Sequence, residues 1–278
     1  MPGGFFIPLQ PILTPDGVEA RCSVPPDSPW FSGHFPSNPI FPALGMIGLV
    51  DAVLQAGCLV HGGVGALGRQ YRRVRFRQVV RPDDEIRVSI SPQEPGGRDL
   101  LRFGILKASD PIAEGSIVAG GSSCEPGVPG PGLFRIEERA DVPIETLVPH
   151  RDRMRLVEVF EGHDQDRDGI TRTVARDTWP LCDGRTVNPH VVIELVAQAT
   201  AAMAGWDDFK QGKSVGFGYI VGIKNACISM DPIPAGSLLT VKTRKILTQG
   251  NYGVFSGAVY SEARVWGEVV LQVFRPEA

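Results

Sequence analysis

The chain has 278 residues, 42% of them hydrophobic and 21% charged, with a formal net charge of -3. This is enough length and apolar content for the cores of two ordinary domains, and the slight acidic excess argues against a general nucleic-acid binder. The five cysteines (Cys22, Cys58, Cys124, Cys182 and Cys227) are scattered, with no CxxC or Cys/His zinc spacing, so reduced thiols in a cytoplasmic protein are expected. The opening MPGGFFIPLQPILTPDG lacks the basic start and continuous apolar core of a signal peptide. No apolar run approaches the roughly 20 residues of a membrane span.

Val18 to Val24 reads as a strand. Gly33-His34-Phe35-Pro36 and Asn38-Pro39-Ile40-Phe41-Pro42 follow, a proline-stiffened loop that presents one histidine at the mouth of a helix expected over about Ala43 to Val60. Strand patterns come next at Gln70–Val80, Glu85–Ser91, Leu100–Lys107 and Ile112–Ala119. The stretch EPGVPGPG from Glu125 to Gly132 holds three prolines and three glycines, which neither a helix nor a central strand tolerates. The expected division is therefore a first domain over residues 1–124, a linker over 125–134 and a second domain over 135–278. The second half shows strand patterns at Arg155–Val159 and Ile170–Ala175 and a helix over about His190 to Trp206. Further strands are expected at Phe217–Ile223, Leu238–Ile246, Val254–Tyr260 and Val269–Phe274.

The halves share this order of elements, and their helices repeat. DAVLQA from Asp51 to Ala56 lines up with ELVAQA from Glu194 to Ala199, each with an acid and a glutamine one turn apart. Both helices are apolar on nearly all faces, which implies burial. One buried helix followed by several antiparallel strands, twice over, predicts a sheet wrapped around its helix and an internal mimic of a two-fold dimer.

GHFPSNPIFP resembles the GHFPxxPIxPG signature of the hotdog-fold 3-hydroxyacyl-ACP dehydratases, and the order of elements resembles their tandem double-hotdog form. Leu147-Val148-Pro149-His150-Arg151 is similar to the LPHR opening of that family, Glu194 to Gln198 to its central helix, and Ile233-Pro234-Ala235-Gly236 to its strand-opening PxG turn. Arg81-Pro82-Asp83-Asp84 resembles the same turn in the first half. The resemblance covers most of the chain and implies an α+β double hotdog: two antiparallel sheets, each around a long central helix, joined side by side into a larger sheet. It further implies dehydration of 3-hydroxyacyl thioesters to trans-2-enoyl thioesters, in a fatty-acid, polyketide or polyene type of pathway. The substrate would be carried on the phosphopantetheine of an acyl carrier protein, with no metal and no redox cofactor.

Such a reaction needs a base for the proton beside the carbonyl and an acid for the departing hydroxyl. An imidazole accepts a proton at neutral pH, and a carboxyl group in apolar surroundings keeps one to donate. By resemblance, His34 is the base and Glu194 the acid, meeting across the boundary between the halves. The free N–H groups at the start of the first helix, near Ala43 and Leu44, would hold the oxyanion. In the first helix the family's acid position falls on Gly48, with Asp51 one turn further. A complementary second site would then draw on Asp51, Asp183 and His190 and would lack the usual base. His190 and Glu194 share a helix face but have no third ligand near them in sequence, so no metal site is expected. His150 reads as a structural residue at the start of the second domain. Gln55 and Gln198 read as structural hydrogen-bonders. Arg72, Arg73, Arg75 and Arg77 lie in RQYRRVRFR, with Arg73, Arg75 and Arg77 expected on one strand face. They form either a solvated face or a docking stripe for the acidic carrier protein. Alternatives are a hotdog thioesterase, a non-catalytic binder of acyl chains or carrier protein, and an isomerising dehydratase. Association of two chains into a homodimer of double hotdogs is left open.

Overall fold

The structure, a computed structural model, describes residues 5, 7–35, 38–57, 68–94, 100–119, 135–164, 167–214, 216–262 and 264–276. The expected linker over 125–134 lies outside the described residues. The first half comprises β1 (Gln10–Thr14), β2 (Gly17–Ser23), α1 (Ala43–Ala56), β3 (Gly68–Phe76), β4 (Glu85–Pro92), β5 (Leu100–Lys107) and β6 (Asp110–Ala119). The second opens with β7 (Ile136–Arg139), two short 3-10 turns (Ile144–Thr146 and Asp152–Met154), β8 (Val159–Asp164), β9 (Gly169–Val174) and β10 (Thr186–Val187). It continues with α2 (Val191–Lys210), β11 (Tyr219–Ser229), β12 (Ile233–Pro234), β13 (Leu238–Gln249), β14 (Tyr252–Ser261) and β15 (Arg264–Phe274).

Thirteen strands form one continuous antiparallel sheet, in the order β1-β2-β4-β5-β6-β3-β11-β15-β14-β13-β9-β8-β7. The order is a palindrome about its centre. Reading outward from β3 gives β6, β5, β4, β2, β1, and reading outward from β11 gives β15, β14, β13, β9, β8. The internal duplication is thus built into the topology, with β7 as an addition at one edge. The two expected sheets join side by side into one, because β3 pairs directly with β11 from Gly222↔Arg75 to Ser229↔Gly68. That pairing closes the inner edge of each half, which would otherwise leave a row of unpaired backbone groups.

Each helix packs on the sheet: α1 against β2 and β4, and α2 against β8, β9 and β13 to β15. Pro42 precedes α1 in an extended conformation, and Leu44, Ile47, Val50, Val53 and Leu54 of that helix are fully buried. Each contributes about 1.5–3 kcal/mol of burial. Among the described residues no helix is long and apolar enough to cross a membrane.

Three sequence expectations shift. The Arg155–Val159 strand is an extended segment after a 3-10 turn, and β8 starts only at Val159; Leu156 and Val157 are buried as adjacent loop residues rather than on one face of a strand. A bulge between Arg72 and Arg75, with Arg73 at φ 52, shifts the register so that Arg72 is exposed as well as Arg73, Arg75 and Arg77, while Val74 is buried. Cys227 is disulfide-bonded, against the expectation of reduced thiols, whereas Cys22 and Cys182 are free.

Gly205 of α2 sits where an added Cβ would fall 2.2 Å from the carbonyl oxygen of Leu147. This glycine lets the helix close against the segment that leads to His150. Backbone cannot yield as a side chain can, so Gly205→Ala is expected to destabilise the fold by about 1–3 kcal/mol, read as a lower urea midpoint.

Candidate active site

His34 is held by a loop that only a glycine allows. Gly33 has φ +83, and a Cβ there would lie 2.0 Å from the carbonyl oxygen of Arg151. Its own carbonyl accepts the Arg151 N–H at 3.0 Å, tying the first half's loop to the second half's Val148–Arg151 segment. The His34 ring stacks on Phe35, with centroids 4.5 Å apart. Its Nδ1 lies 3.0 Å from the carbonyl oxygen of Ile40. A carbonyl only accepts, so Nδ1 carries the hydrogen and the Nε2 lone pair is left free. Burial lowers the His34 pKa to about 4, partly offset by that hydrogen bond, and so keeps the ring neutral.

Glu194 lies in the first turn of α2, and its partner is the glutamine one turn on. Gln198 Nε2 donates to Glu194 Oε1 at 2.8 Å and to the Met154 carbonyl at 2.7 Å, while Gln198 Oε1 accepts the Leu156 N–H at 2.8 Å. The amide is therefore fully satisfied and rigid. Burial raises the Glu194 pKa to about 7, against the lowering effect of the Gln198 hydrogen bond. At neutral pH a large share of the group retains a proton.

His150, read from sequence as structural, stands between the two. Its Nε2 lies 3.4 Å from Glu194 Oε1, and its ring centroid is 5.5 Å from that of His34. One nitrogen or oxygen from each of His34, His150 and Glu194 falls within 4.8 Å of the others, and the three residues are 7%, 6% and 2% exposed. Arg151 clamps this turn by donating to the carbonyls of Val148 and His150 at 2.7 and 2.8 Å. The signal for His150 was present in the Pro149-His150-Arg151 stretch, but nothing local shows that it faces Glu194.

These residues line a cavity of about 640 Å³ walled by apolar and aromatic side chains such as Phe35, Phe41, Phe217 and Phe255, with Arg77, Lys213 and Arg275 also on its lining. Ala43 lines it too, and Leu44 is fully buried beside it. The N–H groups of Ala43 and Leu44 precede the first helical bond of α1, from Met46 N–H to the Pro42 carbonyl at 3.1 Å.

The pseudo-equivalent position is built differently. Gln55 Nε2 donates to Asp51 Oδ2 at 2.5 Å, repeating the Gln198–Glu194 pair. Asp51, however, faces Arg69 of β3 in a buried ion pair at 2.8 Å. His190 has both ring nitrogens engaged, Nε2 with the Tyr71 hydroxyl at 2.6 Å and Nδ1 with Asn188 Oδ1 at 2.7 Å. Asp51 and His190 thus come together with Arg69 and Tyr71 as a buried polar cluster, in which the Nε and Nη1 of Arg69 have no hydrogen-bond partner among the described residues. Asp183 does not join it. Its carboxylate is exposed and caps a turn, accepting from the N–H groups of Arg185 and Thr186 at 2.8 and 2.7 Å. Arg69, part of the basic run in sequence, belongs to the core; Arg72, Arg73, Arg75 and Arg77 are on the surface, with Arg77 paired to Glu114 at 2.5 Å. Arg69→Met would leave Asp51 buried without its counter-charge. A loss of about 3–5 kcal/mol is expected in urea unfolding, because uncompensated buried charge is the costly case.

Two family models divide the chain: one described as ApeI dehydratase matches residues 12–116, and one described as ApeP dehydratase matches residues 142–278. Among curated proteins, the 3-hydroxyacyl-(acyl-carrier-protein) dehydratase FabZ of Caldanaerobacter subterraneus subsp. tengcongensis is 32% identical over 103 residues, covering 35% of this chain and 67% of that protein. FabZ of Chloroflexus aggregans is 34% identical over 70 residues, covering 23% and 46%. The chain therefore spans between about half and two thirds of these relatives' lengths. Of solved structures, the dehydratase domain of RzxB from Pseudomonas fluorescens superposes with TM-score 0.72 at 15% identity, over 96% of this chain and 97% of that one. At that identity the likeness shows the fold, a double hotdog. With both halves matched by dehydratase families and the fold shared end to end, the chain belongs to the hotdog-fold 3-hydroxyacyl-ACP dehydratase family.

Proposed function

We propose that the chain uses one composite site, with His34 as base and Glu194 as acid, to convert a 3-hydroxyacyl thioester to its trans-2-enoyl form. One observation carries this reading. A neutral imidazole with a free Nε2 and a carboxyl group that retains its proton, from different halves of the chain, are buried together in one apolar cavity. His34 Nε2 takes the proton beside the carbonyl as the new double bond forms. The hydroxyl leaves with the Glu194 proton as water. Glu194 Oε1 already accepts from Gln198, which makes Oε2 the oxygen that delivers the proton. The carbonyl oxygen gains charge in this step, and the N–H groups of Ala43 and Leu44 at the start of α1 are the donors suited to it. A proton passed from His34 back to Glu194 restores the resting state. The C–H and C–O bonds break as the C=C bond and water form, with no net oxidation or reduction, so the step needs no redox cofactor, and the two proton transfers are within reach of these side chains without a metal.

The acyl chain would occupy the cavity, and its pantetheine arm would lead out past Arg77, Lys213 and Arg275. An acyl carrier protein is acidic, and this basic rim together with Arg72, Arg73 and Arg75 on β3 offers it a complementary surface. Arg77→Glu is expected to raise KM for a carrier-bound substrate while leaving turnover of a free pantetheine thioester near wild type. An equal effect on both substrates would exclude the docking role.

The direct test is turnover of short 3-hydroxyacyl pantetheine thioesters by chelator-treated enzyme. His34→Ala and Glu194→Gln are each expected to lower kcat/KM by about 10²- to 10⁴-fold, and Asp51→Asn, in the folded fraction, to leave it within a fewfold. In the wild type kcat/KM should fall below pH about 4, as His34 gains a proton, and above about 7, as Glu194 loses one. A free acid as product would establish a thioesterase instead, and full activity in His34→Ala would remove this assignment.

A further inference from the structure

The inner end of the cavity carries a second kind of chemistry. His34, His150 and Glu194 come from three distant parts of the chain, and one donor atom from each lies within 4.8 Å of the other two. The 3.4 Å between His150 Nε2 and Glu194 Oε1 is long for a hydrogen bond. It is about the edge of a tetrahedron whose nitrogen and oxygen ligands stand roughly 2.0–2.2 Å from a zinc-sized ion. Two of the three side chains already have the outer contacts that orient metal ligands. His34 donates Nδ1–H to the Ile40 carbonyl at 3.0 Å, aiming Nε2 at the cluster, and Gln198 donates to the Glu194 carboxyl at 2.8 Å. His150 Nδ1 is buried with no hydrogen-bond partner among the described residues, so the fold leaves this ring uncommitted. The remaining side of the cluster faces the cavity.

We propose that this cluster is a site for a divalent transition-metal ion of the zinc class, held by His34 Nε2, His150 and Glu194 with its fourth position open to the cavity. Such an ion occupies both the base and the acid, so its bound form excludes the thioester and is inactive. The inhibitory consequence rests on the dehydratase reading; the binding does not. The other free soft ligands among the described residues, the Cys22 and Cys182 thiols, lie outside the cluster.

Chelator-stripped protein titrated with zinc chloride by calorimetry tests the site without any turnover. One ion per chain is expected, bound more than about tenfold more weakly by His150→Phe and by Glu194→Gln and unchanged in Cys182→Ser. Cobalt(II) added to the wild-type chain gives a readout independent of whether the variants fold. It should show visible d–d bands without a thiolate charge-transfer band. No saturable binding, unchanged binding in folded His150→Phe, or a thiolate band overturns the site. In turnover assays zinc should raise KM for the thioester, reversibly with EDTA, and a purely noncompetitive effect would overturn substrate exclusion. Protein that binds zinc at this cluster but turns over no hydroxyacyl thioester would sink the dehydratase reading and leave the metal site standing.

Discussion

The pairing of β3 with β11 is the constraint on which the remaining architecture depends. An antiparallel ladder fixes both distance and register, since a slip of one residue would turn every side chain to the opposite face. With that ladder set, the GHFP loop of the first half meets the second half along a continuous front. Gly33 bonds to Arg151, Asn38 Nδ2 donates to the Tyr219 hydroxyl at 3.3 Å, and Phe35 packs on Phe217 with ring centroids 5.6 Å apart. His34 and Glu194 meet as a consequence of this docking rather than through any direct bond between them.

The two halves carry the same helical carboxylate–glutamine pair and put it to opposite uses. Around Glu194 the neighbours are a neutral glutamine, a neutral histidine and apolar walls, and burial therefore holds the proton on the acid. Around Asp51 the neighbour is the Arg69 guanidinium, held in a buried ion pair at 2.8 Å. The histidines differ in the same way. His34 commits one ring nitrogen to the backbone and keeps the other free, whereas His190 commits both. One duplicated framework thus holds one cavity-lining acid and one buried in an ion pair.

The local backbone is shaped to hold the cluster of His34, His150 and Glu194. A positive φ at Gly33 and the absence of a Cβ at Gly205 let two segments approach the His150 turn from opposite sides. Arg151 then gathers the carbonyls of that turn, leaving the His150 ring directed at Glu194. Rigidity of this kind suits the proposed acid–base pair, whose proton transfers depend on distances of a few tenths of an ångström.

What the sequence by itself determined was everything carried by local pattern. The proline-framed loop before an apolar helix marked His34, an acid in an otherwise apolar helix marked Glu194, and periodicity located both helices and most central strands within a few residues. Edge strands escaped because neither face is buried. In β1, from Gln10 to Thr14, four of five residues are exposed and no alternation exists to be read. The rest was decided by tertiary structure. Nothing within a few residues of His150, Arg69 or Asp183 distinguishes a cavity wall from a buried counter-ion or an exposed turn cap. Those roles arise from tertiary contacts, His34 with His150 and Tyr71 with His190 across the seam and Asp51 with Arg69 between the helix and a strand of the first half. Local propensity specifies the elements, but the desolvation and charge that set each side chain's chemistry exist only once the two halves share one sheet.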